Sequence, residues 1–147
     1  MIKKYQPTHK SALLELIRLN TPTYFDITEE EGFDKYLESE TEDYFIVEKD
    51  DKVLGCGGIN YELDNNTAII SWDIIHPDFQ GQGIGKELTE YRISHIKTTY
   101  PGVSLVIVRT SQLTNDFYAK FGFELTETKK DYWAKGIDLY QMELIIK

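Results

Sequence analysis

Asp73-Ile74-Ile75-His76-Pro77-Asp78-Phe79-Gln80-Gly81-Gln82-Gly83-Ile84-Gly85-Lys86-Glu87-Leu88 is the stretch on which the reading of this chain turns. Its first residues read as the end of a strand, three glycines alternate over Gly81, Gly83 and Gly85, and a helical pattern begins behind them. Glycines just ahead of a helix let successive backbone N–H groups converge, and the positive end of the helix dipole deepens that concavity. An anion is the expected occupant, and a pyrophosphate suits it. Lys86 in the first turn points the same way, because a cation there opposes the dipole by ~0.3–1 kcal/mol unless an anion sits beside it.

Working outward, the helix is expected to reach about Tyr100, followed by the turn Pro101-Gly102 and the apolar run Val103 to Val108. Strand, helix, strand in that order makes a crossover, which sets the Ser104 to Arg109 strand parallel to the Ile69 to Ile75 strand. Upstream, Tyr44 to Glu48, Lys52 to Leu63 and Thr67 to His76 read as an antiparallel meander turned at Asp50-Asp51 and Asp64-Asn65-Asn66. Ile2 to Gln6 is a first strand stopped by Pro7, and Ala12 to Leu19 is a helix. Thr28-Glu29-Glu30-Glu31 has capping-box spacing ahead of Phe33, Tyr36 and Leu37, so a second helix is expected there. A short helix from about Leu113 to Phe121 and strands near Phe123 to Thr128 and Ile137 to Ile145 close the chain. The fold class is mixed α/β: one central, mostly antiparallel sheet with a single parallel pair, flanked by about four helices, in one domain over residues 1–147.

The 25 acidic against 16 basic side chains give a net charge of -9, which repels phosphate backbones and anionic lipid heads and disfavours a nucleic-acid or membrane-surface partner. No apolar run approaches the ~20 residues of a membrane span. Cys56 is the single cysteine, so no intramolecular disulfide forms, no metal site of zinc type is expected, and a reducing, cytoplasmic setting fits.

Three phosphate-binding templates compete for the glycine turn. A Walker loop needs a glycine where Gln80 stands and a hydroxyl residue where Glu87 stands. A dinucleotide fingerprint needs G-x-G-x-x-G and an acid further on, whereas the spacing is G-x-G-x-G and Val103 to Val108 carries no acid. The third template is Q/R-x-x-G-x-G/A, and Gln80-Gly81-Gln82-Gly83-Ile84-Gly85 matches it. In this motif, in the element order around it, and in the later segment Phe117-Tyr118-Ala119-Lys120-Phe121-Gly122-Phe123, the chain resembles the GNAT family of N-acetyltransferases along its whole length.

That resemblance implies acetyl-CoA as cosubstrate and a small-molecule primary amine as acceptor. It implies that Gln80, Gly81, Gln82, Gly83, Ile84, Gly85 and Lys86 wrap the coenzyme pyrophosphate, while the backbone of Ile74 and Ile75 pairs with the pantetheine arm as an added strand. The family's general-acid tyrosine falls on Tyr118, expected to lie off the buried stripe of Leu113, Phe117 and Phe121 with its hydroxyl toward a cleft. Where many members carry Asn, this chain has Ser111, which suits either a pantetheine contact or a cap for the following helix. Asp73 is a carboxylate on a central strand, where alternation puts it with Ser71 and Ile75; general base and structural hydrogen-bonding partner both fit it. His76 and His95 read as packed, hydrogen-bonded histidines, and Cys56 as a buried, inert thiol. The resemblance places Tyr24-Phe25 and Trp133 in segments that often line the acceptor side, while aromatic residues equally serve as core. The acidic surface favours a small cationic amine, a homodimer is compatible with the family, and the rival reading is an inactive acyl-CoA-binding or sensor module of the same fold.

Overall fold

The computed structural model describes residues 1–146. Its seven strands lie in one sheet in the order β1-β2-β3-β4-β5-β7-β6, with four α-helices among the described residues. They are β1 (Ile2–Lys4), α1 (Lys10–Leu19), α2 (Glu29–Ser39), β2 (Asp43–Lys49), β3 (Lys52–Glu62), β4 (Thr67–Ile75), α3 (Ile84–Thr99), β5 (Leu105–Thr110), α4 (Asn115–Ala119), β6 (Glu124–Ala134) and β7 (Ile137–Ile145). The expected mixed sheet with one parallel pair is present. β4 and β5 run parallel from Thr67↔Leu105 to Ile70↔Val108, and every other pairing with a described register is antiparallel.

The chain divides into two compact units, residues 1–60 with 71–95 and residues 61–70 with 96–147. In the first, Leu13, Leu16 and Ile17 on α1 and Phe33, Tyr36 and Leu37 on α2 recur at helical spacing and bury one face of each helix. They meet Tyr44 and Ile46 of β2, Cys56 of β3 and Ile74 of β4. The alternate residues of β2, Phe45 and Val47, are buried too, and Phe45 lies edge-on to Tyr91 of α3 at 5.1 Å. A strand covered on both faces reads as an unbroken apolar run, as Tyr44 to Val47 does. The β2–β3 turn places Asp50 and Asp51 at φ 53° and 60°, the pair of positive angles a two-residue hairpin needs.

In the second unit, β5 sits between β4 and β7, and Val106, Val108, Leu139 and Met142 are buried. β6 is an edge strand, exposed along nearly its whole length and carrying Glu124, Glu127, Lys129, Lys130 and Asp131. Charges of both signs protect such an edge from pairing with other chains.

Several boundaries move from their expected places. Thr28 is the N-cap position of α2 but makes no side-chain cap; the polar bonds at the helix entrance come from Asp26, whose carboxylate accepts from Thr28 N, and Glu29, whose Oε2 accepts from Asp26 N at 2.8 Å. β6 extends to Ala134, six residues past Thr128, because an exposed charged strand lacks the apolar alternation that marks a strand in sequence. α4 is a single short helix, and Leu113 lies ahead of it with 45% of its surface exposed.

Candidate functional site

After β4 the chain takes one 3₁₀ turn over Pro77–Phe79, held by His76, whose ring Nδ1 accepts from Asp78 N at 3.1 Å and whose own N–H donates to Leu54 O at 2.8 Å. The His76 ring meets Phe79 edge-on at 5.1 Å, so this histidine is packed and hydrogen-bonded. Gly81 and Gly83 follow at φ 78° and 85°, in the left-handed region that disfavours L side chains, and α3 begins at Ile84. A Cβ placed on either glycine would meet nothing within 4 Å. The left-handed turns are therefore not imposed by crowding from the protein itself, and the space beside them is open just ahead of a 16-residue helix. Such a cradle fits an anion of pyrophosphate type. Gly81, Gln82, Gly83 and Lys86 are exposed, and Lys86 lies in the first turn of α3.

Ile84 anchors the turn from below. A Cβ on Gly55 of β3 would lie 2.9 Å from Ile75 Cδ1 and 3.3 Å from Ile84 Cγ2, so both side chains sit against the bare backbone of that strand. Ile74 points the other way, into the core under α1 and α2. Two further ties hold the strand end and the turn: Asn20 Nδ2 donates to Ile75 O at 3.1 Å, and Tyr24 Oη to Gln80 Oε1 at 3.1 Å. The segment between α1 and α2 thus reaches both ends of the Ile75-to-Gln80 stretch, a role for Asn20 and Tyr24 that no spacing rule reveals.

β4 departs from simple alternation at Trp72, which has φ 48°. Its indole packs against Phe33 at 5.1 Å and stacks on Phe25 at 6.4 Å, and its carbonyl accepts from Tyr44 Oη at 2.7 Å. Phe25 is therefore a partner of the core aromatics. Ser71 does not share a face with Asp73 as alternation implies, since its hydroxyl donates to Asn60 Oδ1, the same oxygen that Tyr36 Oη reaches. Asp73 faces Arg92 of α3. Arg92 Nη2 donates to Asp73 Oδ2 at 2.8 Å and Nη1 to Asp73 Oδ1, and the guanidinium is fully withdrawn from water. Of the two roles the sequence allows Asp73, the observed contacts are those of the structural one. Arg92 went unnoticed in the sequence, although Leu88, Arg92 and Ile96 recur every fourth residue on a buried stripe. A cation inside such a stripe calls for an acid opposite it.

His95 Nε2 lies 3.1 Å from Asp43 Oδ2 with its ring stacked near Tyr91, and Cys56 is fully buried with its thiol pushed up to about 12 by burial. His95 is packed and hydrogen-bonded as expected, and Cys56 is buried as expected. Among the described residues no three His, Cys, Asp or Glu side chains gather as a metal site, and no helix is long and apolar enough to cross a membrane.

In the second unit, Ser111 is buried and holds the turn into α4: its Oγ accepts from Leu113 N at 3.2 Å and its carbonyl from Asn115 N at 3.0 Å. These bonds shape the turn before the helix, whose N-cap position is Thr114 and carries no side-chain cap. Tyr118 is the buried residue of α4, with its ring edge-on to Phe117 at 5.1 Å and Phe123 at 5.8 Å. The expected burial order is reversed, since Phe117 and Phe121 are half-exposed and Tyr118 is 5% exposed. A helix of five residues buries by its contacts with the strands around it, and extrapolating a stripe to Leu113 and Phe121 overran its ends. Trp133 Nε1 donates to Thr110 O at 3.0 Å, which fixes the indole at the end of β5.

The acetyltransferase (GNAT) domain family matches residues 11–146. Two curated relatives are similar: the UPF0157 protein YqkA of Bacillus subtilis, 27% identical over 95% of this chain, and the amino-acid acetyltransferase of Vibrio vulnificus, 28% identical over 71% of it. The matched regions are 42% and 23% of those proteins' lengths, so the chain spans less than half of either. Among solved structures, the ribosomal-protein-S18-alanine N-acetyltransferase of Escherichia coli superposes with a TM-score of 0.82 at 19% identity, covering 100% of this chain and 94% of that one. An aminoglycoside 6'-N-acetyltransferase complexed with coenzyme A gives 0.77 at 14%, covering 100% and 97%. The likeness to these structures is one of fold; the family match across nearly all of the sequence carries the assignment, and the chain belongs to the GNAT acetyltransferase family.

Proposed function

We propose that this chain is an acetyl-CoA-dependent N-acetyltransferase that moves the acetyl group directly to a primary amine, a small cationic metabolite by class. The observation that carries the proposal is the open turn at the start of α3, where Gly81 and Gly83 hold positive φ with nothing near their missing side chains. In this reading the turn from Gln80 to Lys86 binds the pyrophosphate through backbone N–H groups and the Lys86 charge. The backbone of Ile74 and Ile75 receives the pantetheine arm, which brings the thioester, an activated acetyl donor. Ser111 serves by holding the turn ahead of α4, its hydroxyl accepting from Leu113 N.

Transfer requires a neutral amine and a proton for the departing sulfur. Tyr118 is the proton donor: its O–H bond breaks as the thiol S–H bond forms, and bulk water restores the phenol. The amine loses its proton to water, because both oxygens of Asp73 are committed to Arg92. The net charge of -9 supports a cationic acceptor by raising its concentration near the surface.

Isothermal titration with acetyl-CoA, followed by a screen of polyamines, aminoglycosides and amino acids for amine-dependent thiol release, tests the proposal. Saturable binding and amine-dependent thiol are the expected results. Failure of the protein to bind acetyl-CoA overturns the reading; binding without thiol release from any amine reduces the chain to a coenzyme-binding module.

A further inference from the structure

We propose that Arg92 and Asp73 form an internal clamp that fixes the backbone of β4 for the pantetheine arm, making Asp73 a positioning residue. The inference rests on the coenzyme reading above and deepens it.

The Arg92 guanidinium is tied to three elements. Nε reaches Leu88 O at 3.3 Å within α3, Nη1 reaches Gly58 O of β3 at 3.1 Å, and both Nη1 and Nη2 face the Asp73 carboxylate on β4. β3 is shaped to admit it. A Cβ on Gly57 would overlap Asp73 Oδ1 and stand 2.8 Å from Arg92 Nη1, so the pair in its observed position occupies the space a side chain at 57 would need. Burying an ion pair is seldom the cheapest way to fill a core, since apolar residues of similar volume often serve stability as well or better. What a bidentate arginine supplies beyond stability is a fixed direction.

That direction is imposed at a particular place. Trp72, immediately before Asp73, sits at φ 48°, an uncommon conformation for a bulky residue that persists only where its surroundings hold it. On the α2 side, Phe33 and Phe25 pack the indole and Tyr44 Oη holds the carbonyl. On the α3 side, Arg92 holds the next side chain. Two residues on, Asn20 secures Ile75 O and Leu54 accepts from His76 N. The segment 74–75, the proposed ledge for pantetheine, is therefore bracketed by fixed points, and the clamp is the one charged bracket.

The test compares two ligands: acetyl-CoA, and 3'-phospho-ADP, which has the phosphates and no pantetheine arm. For Asp73→Asn the clamp predicts about a tenfold or greater rise in the acetyl-CoA dissociation constant, with 3'-phospho-ADP binding unchanged within about twofold. A general loss of structure would weaken both ligands together. The double variant Asp73→Leu/Arg92→Met removes both charges without leaving one unpaired; it is expected to fold, and to show the same selective loss of acetyl-CoA. Unchanged acetyl-CoA affinity in either folded variant overturns the clamp while leaving the coenzyme site intact. Parallel loss of both ligands, or failure of both variants to fold, makes the pair a plain determinant of the fold and also overturns it. Absence of acetyl-CoA binding by the unmodified protein is a separate result, which removes the coenzyme reading itself.

Discussion

Gly83 offers a clean separation of folding from binding. Its φ of 85° disfavours any L residue, while a Cβ there meets nothing within 4 Å, so substitution strains the backbone without creating a clash. For Gly83→Ala the strain is about 1 kcal/mol, and for the β-branched Val it is about 2 kcal/mol. In a chain of this length, that lowers Tm by about 2–4 °C for Ala and about 4–8 °C for Val. Binding responds differently. If the turn approaches a pyrophosphate, a Cβ in the open space displaces at least one N–H donor, and a hydrogen bond to a charged group is worth about 1.5–3 kcal/mol, equivalent to about a tenfold to hundredfold rise in Kd. Gly136 provides the control, since it has φ 83° and equally open surroundings, but lies in the turn between β6 and β7. Gly136→Ala should show a similar Tm loss with unchanged acetyl-CoA affinity by isothermal titration. Gly83 variants that lose Tm yet bind acetyl-CoA like the parent would refute the argument, because the open space would then not be where the ligand lies.

Two other outcomes are expected. Tyr118→Phe keeps the ring packed against Phe117 and Phe123, so acetyl-CoA affinity should hold while turnover with an amine found in the screen drops about a hundredfold or more; equal turnover removes Tyr118 as the proton donor. Cys56 makes stability depend on alkaline pH: with the folded thiol pushed up to about 12 by burial, its contribution is complete below the ordinary thiol value of ~8.5 and is lost as pH rises from there toward 12. Between pH 8 and 10 this amounts to about 2 kcal/mol, measured by urea unfolding as the difference in pH slope between the parent and Cys56→Ala; identical slopes would show that burial does not hold the proton.

The parts of the fold that could be read in the sequence are those where one physical requirement repeats. Leu13, Leu16 and Ile17 on α1, and Tyr44 to Val47 on β2, declare burial by period or by continuity. The parallel β4–β5 pair follows from the helix between the two strands, which forces a crossover. β6 is half hidden in the sequence because an exposed edge strand needs no apolar residues, and the box expected at Thr28 is absent because Asp26 and Glu29 hold the helix entrance instead. α4 departs from its expected extent for a related reason: five residues contain too few turns for a stripe to identify itself.

The candidate site was legible where function depends on backbone and obscure where it depends on side chains meeting across the sheet. Gly81 and Gly83 announce their conformation by being glycine. Asp73 announces only that a carboxylate on a central strand needs an explanation, and the explanation lies 19 residues away in Arg92, beside a strand made bare at Gly57. Each of the three residues is odd alone: an acid on a central strand, a cation in a helix's apolar stripe, a glycine inside a strand. Together they satisfy one another, for the glycine makes room for a pair that neither charge could bury alone. The same logic covers Trp72, whose left-handed backbone no propensity scale would assign to a strand and which Tyr44 of β2, Phe33 of α2 and Phe25 of the segment before α2 hold in place. Local rules fail here because the strand is held in a shape that its own sequence does not prefer, and that shape lies directly before the two residues assigned to the pantetheine arm.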